Sequence, residues 1–333
     1  MTLSVKGTWV GASGQNQCRA LCFDGTYIYA GLYTSPAVVI KIDRATMTTV
    51  GVWTGLPGTA GVSGQHYVRA LTYDGAYIYV GLYNWTPQPG QVVKIDPATM
   101  TTVNTWTGNS SQVYCLALAY DGVFIYAGFD ISPAQAVKID RTTMTTILTW
   151  NGGTGSGLPQ ALTLMGGYLY VGTYRAAAQV HKLNPATMTA VLTWTGTSGQ
   201  NYCRGLANDG TYIYAGLSLS PGQVKKIDPT TMTTVGSWTG ASGQNQVYAN
   251  LFDGAYLYAG MNTGAGTIQI DRAPMTTKDT GSQSAVRAFT FDGVYLYVGQ
   301  NSSPGNVVQL IVAPAIKPAQ GSMASRLLGG GVL

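Results

Sequence analysis

Few residues in this 333-residue chain have catalytic chemistry. There are two histidines, His66 and His181, and 13 acidic residues, every one an aspartate. General acid–base work needs a histidine or a pair of carboxylates held within hydrogen-bond reach of the reacting group. The two histidines fall at different positions of the repeat described below. Most aspartates stand in Asp-Gly, Asp-Pro or Asp-Arg pairs, which read as turns. Neither histidine lies in a motif that indicates a Ser-His-Asp arrangement. The cysteines, Cys18, Cys22, Cys115 and Cys203, form no CxxC pair and no other metal-ligand spacing. Three of them, Cys18, Cys115 and Cys203, share one repeat position, either as small buried hydrophobes or as thiols ringing a channel. Separated by intervening units, they are expected to lie beyond the roughly 7 Å Cα limit for a disulfide. The residue inventory therefore predicts no catalytic group, no metal and no cofactor.

Binding chemistry is better supplied. Arg19, Arg69, Arg204 and Arg287 occupy one position of a recurring first strand, where other copies have Leu116, Gln160 and Tyr248. Where such strands line a channel, four guanidinium groups around its mouth can hold an anion or a partner's carboxylates bidentately. The alternative is that each arginine satisfies backbone carbonyls and polar neighbours along the inner strands. A second set lies in the turns between units, as Gln15-Asn16, Gln65-His66, Gln200-Asn201 and Gln244-Asn245, each after a Ser-Gly. Beside it, after the second strand, come Tyr33, Tyr83, Trp85, Asp130, Tyr174 and Arg175. Amides next to aromatic rings suit a sugar, such as a cell-surface glycan, because hydroxyls take planar donor–acceptor pairs and the apolar sugar face stacks on a ring. The same composition suits a protein partner, or is turn chemistry alone.

What must hold these residues in place is a repeat. The stretch Val68-Arg69-Ala70-Leu71-Thr72-Tyr73-Asp74-Gly75-Ala76-Tyr77-Ile78-Tyr79-Val80-Gly81 recurs with Asp-Gly at Asp24, Asp74, Asp121, Asp209, Asp253 and Asp292, and with Met165-Gly166 in a degenerate copy. Copies are about 39 to 50 residues apart, the range of a propeller or solenoid unit. In the second unit, residues 67–73 read as a first strand. Asp74-Gly75 reads as a two-residue hairpin turn with positive φ at both positions. Residues 77–83 follow as a second strand, apolar on both faces and so buried on both. Residues 91–95 form a third strand and Asp96-Pro97-Ala98-Thr99 a turn. The fourth strand, 100–107, carries Trp106. The fourth and sixth units depart from this pattern, the sixth reading as having a shortened or lost outer strand, through drift or as a docking place.

The run Gly7-Thr8-Trp9-Val10-Gly11-Ala12-Ser13-Gly14-Gln15-Asn16-Gln17 matches residues 236–246, so the chain opens in the last strand of a unit. The seventh copy supplies three strands and lacks that fourth. The expected fold is all-β: a seven-bladed β-propeller over 1–312 with four-stranded blades, the ring closed by the N-terminal strand joining the C-terminal blade. Tyr-Ile-Tyr-Ala/Val-Gly followed by Val-Lys-Ile-Asp-Pro-Ala-Thr-Met-Thr-Thr-Val resembles the repeats of YVTN and NHL-type propellers over roughly residues 1–312. The resemblance implies this fold and leaves function open, since such propellers include adhesins, surface-layer proteins, scaffolds and enzymes.

Only 9% of residues are charged and 44 are glycine, so the surface is built from uncharged polar groups and backbone. The net charge of +5 is spread without a basic run, which argues against nucleic-acid binding. No signal peptide and no apolar run of about 20 residues is apparent, which predicts no membrane span and a protein that stays in the cytosol of its producer or leaves only as part of something assembled there. Residues 313–333 are a Pro-rich linker and an apolar, glycine-rich tail. Arg326, Leu327, Leu328, Val332 and Leu333 are its expected contacts with other subunits of an assembly. The reading that joins these features is a non-catalytic structural or adhesive subunit, with a bacteriophage virion assembled in the host cytoplasm as its setting. The alternatives are a lectin-like propeller and a propeller lyase or hydrolase.

Overall fold

The computed structural model describes residues 3–57, 64–84 and 88–312. Trp85 and the 313–333 tail, with Arg326, Leu327, Leu328, Val332 and Leu333, lie outside the described residues. The chain forms seven four-stranded antiparallel sheets around a central channel, the seven-bladed propeller expected. Blades 1 to 6 span residues 18–54, 68–107, 115–151, 158–195, 203–239 and 245–281. Blade 7 joins 286–311 to the N-terminal strand Ser4–Val10. Trp9 pairs with Val307 and Thr8 with Val308, which closes the ring as the matching sequence runs predicted.

In blade 2 the strands are Val68–Tyr73, Ile78–Leu82, Gln91–Asp96 and Thr101–Thr107. Ile78, Tyr79 and Val80 are all fully buried, because each blade is sandwiched between two others. The Asp-Gly turn differs from expectation. Gly75 has φ +94°, but Asp74 stays out of the left-handed region. The aspartate instead folds the turn through its side chain: Asp74 Oδ1 accepts the amides of Ala76 and Tyr77 at 2.8 and 2.7 Å. A carboxylate that caps two amides removes the need for a second positive φ. Its other oxygen, Oδ2, accepts the hydroxyl of Tyr79 at 2.9 Å. The same Asp–Tyr bond recurs in the five other Asp-Gly blades, between Asp24 and Tyr29 through to Asp292 and Tyr297.

Neighbouring blades are tied on their outer strands. Trp9, Trp53, Trp106, Trp194 and Trp238 each donate from Nε1 to a threonine of the next blade at 2.9 Å. Lysines of the third strand reach across as well: Lys41, Lys94, Lys138, Lys182 and Lys226 each donate to a backbone carbonyl in the next blade's Asp-Pro, Asn-Pro or Asp-Arg turn. The sixth blade keeps its outer strand, Thr276–Gly281, paired with Thr267–Asp271; of the two outcomes expected it is shortened, at 6 residues against 7 in blades 1 to 5, and not lost. Backbone pairing survives there without the tryptophan; Gly281 stands opposite Thr267 where Trp53 stands opposite Val39.

Candidate functional site at the channel mouth

The first strand of every blade lines the axis, running from one face to the other. Arg19, Arg69, Leu116, Gln160, Arg204, Tyr248 and Arg287 are brought together, one from each blade, around a cavity of about 70 Å³. The next two positions of the same strands, Ala20-Leu21, Ala70-Leu71 and their equivalents, line a wider section of about 230 Å³. The four arginines are thus a cationic collar at the mouth of the channel, and the shared repeat position put them there.

The collar is short of counter-charge. None of the four arginines is in an ion pair among the described residues. Arg19 donates to Gln17, and Arg287 donates to Asn262 and to the Val286 carbonyl. The Nε atoms of Arg19, Arg204 and Arg287 are nevertheless buried without a partner. Burial, together with repulsion from Arg69 and Arg287, pushes Arg19 down to about 10. Burial does the same to Arg287, again to about 10, with Arg204 and Arg69 adding repulsion. Arg69 is lowered too, chiefly by burial. A value near 10 leaves Arg19 and Arg287 charged at neutral pH.

Tyrosines brace the collar. Arg204 lies 4.4 Å from the ring centres of both Tyr174 and Tyr248, Arg287 lies 4.0 Å from Tyr248, and Arg19 lies 5.0 Å from Tyr33. At the mouth the residue that ends or follows the second strand of one blade stacks on the residue before the first strand of the next. Tyr33 stacks on Tyr67 at 4.3 Å, Tyr83 on Tyr114 at 3.8 Å, and Tyr174 on Tyr202 at 4.2 Å. Tyr67, Tyr114 and Tyr202 escaped the sequence reading, although their shared place just before Val68, Cys115 and Cys203 was a signal. Asp130 shares this face, where burial pushes its carboxyl up against the pull of Arg69 and Arg204.

The amide set is placed on the same face but is largely engaged within the fold. Gln15, Gln65, Gln200 and Gln244 each accept a backbone amide of their own turn. Asn16 accepts from Ser303 of blade 7, Asn201 from the Ala177 amide of blade 4, and His66 Nδ1 lies 2.9 Å from Ser35 Oγ of blade 1. Asn16, His66 and Asn201 thus latch three inter-blade turns to the preceding blade. Asn245 begins the first strand of blade 6. Arg175 donates to Gln179 and to the Ala176 carbonyl.

The remaining chemistry-bearing residues are enclosed. All four cysteines are buried and free. Burial raises Cys18 and Cys203 to about 12, so neither is a thiolate nucleophile at neutral pH. Their small side chains fit against glycines: a Cβ on Gly299 would meet Cys18 Sγ at 2.7 Å, and one on Gly172 would meet Cys203 Sγ at the same distance. His181 is packed 4.9 Å from Trp150, hydrogen-bonded through Nδ1 to Thr193, and pushed down to about 4 by burial. Among the described residues no three His, Cys, Asp or Glu side chains converge as metal ligands. Comparison with known proteins adds no name to this geometry: no family model matches the chain and no curated protein matches it, so the likeness to YVTN and NHL-type repeats rests on the repeat residues alone.

Proposed function

We propose that the protein is a non-catalytic structural or adhesive subunit of a large assembly, with a bacteriophage virion as its setting. One observation carries this reading. The outer strands Thr48–Thr54, Thr101–Thr107, Thr145–Asn151, Thr189–Thr195 and Thr233–Thr239 contain no charged residue, and each exposes an aliphatic side chain at its third position. These are sheet edges with unpaired backbone groups, which a solitary protein ordinarily guards with charge, especially lysine. The two other edges carry Lys278 with Asp279, and Lys6. Five uncharged edges in succession suit strand-to-strand contact with neighbouring subunits, and the tail from residue 313 serves as the anchor. The engaged histidines and raised thiols support a role without catalysis.

The test is made in the producing culture. The protein is expected to co-sediment with particles on a density gradient. Replacing Val50, Val103, Ile147, Val191 and Val235 together by lysine should leave the fold intact and release it to the soluble fraction. Deleting residues 313–333 should likewise yield a folded propeller that no longer incorporates. Wild-type protein found only as a soluble monomer would overturn the reading.

A further inference from the structure

We propose that the channel mouth is a binding site for a tetrahedral oxyanion of the phosphate or sulfate class, taken either as the free ion or as the phosphoryl or sulfo group of a larger ligand. This stands on the collar and does not depend on the assembly proposed above. Four guanidinium groups converge on one cavity of about 70 Å³ without an ion pair among the described residues. Three Nε donors there, of Arg19, Arg204 and Arg287, are buried and unbonded. Gathering buried like charges without a counter-ion is costly, and an anion between them removes the cost. Asp130 is the carboxylate that Arg69 and Arg204 feel across the mouth, but it is within ion-pair distance of neither.

Geometry selects the class. The arginines come from blades 7, 1 and 2 on one side of the axis and from blade 5 on the other, so their donors approach the cavity from several directions. A carboxylate presents two oxygens in one plane and satisfies one guanidinium fork. A tetrahedral oxyanion presents oxygens all round and can meet donors from both sides of the ring. Contact with Tyr33, Tyr174 and Tyr248 holds the guanidinium groups in place, and the N–H groups not already given to Gln17, Asn262 and the Val286 carbonyl remain to donate.

The experiment is calorimetric titration of the full chain at constant ionic strength with sodium phosphate, sodium sulfate, sodium acetate and glucose 6-phosphate. Phosphate and sulfate should bind saturably at one site, acetate at least tenfold more weakly. Arg69→Gln and Arg204→Gln should each weaken oxyanion binding at least tenfold, while Arg141→Gln, on the opposite face, leaves it unchanged. Glucose 6-phosphate binding within a few-fold of phosphate identifies a group carried on a larger ligand; binding of free ions alone identifies an axial counter-ion. Thermal melting adds a test of the premise. In chloride, Arg69→Gln should raise Tm by relieving repulsion; in phosphate the wild type should gain more and the order should reverse. Absence of saturable binding, equal affinity in the Arg69→Gln protein, acetate as tight as phosphate, or a lower Tm for Arg69→Gln in chloride would each overturn the proposal.

Discussion

The two faces of the propeller use arginine in opposite ways. On the face away from the mouth, Arg44, Arg141 and Arg272 each reach the buried aspartate of the preceding blade's Asp-Gly turn, at 3.2, 2.9 and 2.6 Å. That face carries nearly all the carboxylates, because both hairpin turns there begin with an aspartate that caps backbone amides. At the mouth, Arg19, Arg69, Arg204 and Arg287 stand among tyrosines with Asp130 as the single aspartate on that face. The difference teaches that an arginine's role follows from whether the turn chemistry beside it already supplies a counter-charge. Where it does, the arginine completes the fold; where it does not, the arginine is left for something else.

The largest expected effect comes from removing the counter-charge on the paired face. Asp209 accepts the Thr211 and Tyr212 amides, the Tyr214 hydroxyl and Arg272. Asp209→Ala should cost about 3–4 kcal/mol in urea unfolding, the range for breaking a buried polar network. A loss under about 1 kcal/mol would break the comparison. Arg272→Gln should cost less, about 1 kcal/mol, because the arginine is substantially exposed although its partner is not.

The same pair predicts a pH dependence. Burial alone would raise Asp209, but hydrogen bonds from the Tyr212 and Thr211 amides, Arg272 and Tyr214 outweigh it and hold the carboxyl below its usual 3.8. A depressed carboxylate contributes its stability in full above its unfolded pKa and loses it as pH falls through the folded value. Acid unfolding should therefore set in below pH 4, and Arg272→Gln should shift its onset upward in a circular-dichroism titration. The smallest effect belongs to the mouth, with the sign reversed. Arg204→Gln in chloride should match the wild type or exceed it by up to about 1 kcal/mol, since it removes a repelling cation. A loss comparable to that of Arg272→Gln would make the two faces alike.

Much of this was legible in the chain. The alternation of Tyr77-Ile78-Tyr79-Val80 and the Asp-Gly spacing gave the blades, and the match of residues 7–17 to 236–246 gave the closure. The collar was legible because one repeat position in a ring becomes one level of the channel. The turn geometry was misread, since the favoured hairpin preference for Asp-Gly is overridden when the aspartate caps amides itself. Nor were the Asp–Tyr bonds and the Lys-to-carbonyl links visible in advance, although a tyrosine five residues after each Asp-Gly aspartate was a usable regularity. The links join residues 46 to 56 positions apart, such as Lys94 and Arg141, where no local pattern announces the contact. Six methionines, Met47 to Met275, adopt φ of 52–55° at the third turn, a conformation that their side chain gives no reason to expect.

The most direct measurement is anomalous diffraction from crystals of the full chain soaked in sodium selenate, a tetrahedral oxyanion. The account predicts one strong selenium peak on the propeller axis among Arg19, Arg69, Arg204 and Arg287, absent from crystals of the Arg69→Gln, Arg204→Gln double variant. An empty collar in the wild type, or a peak that persists in the variant, would contradict it.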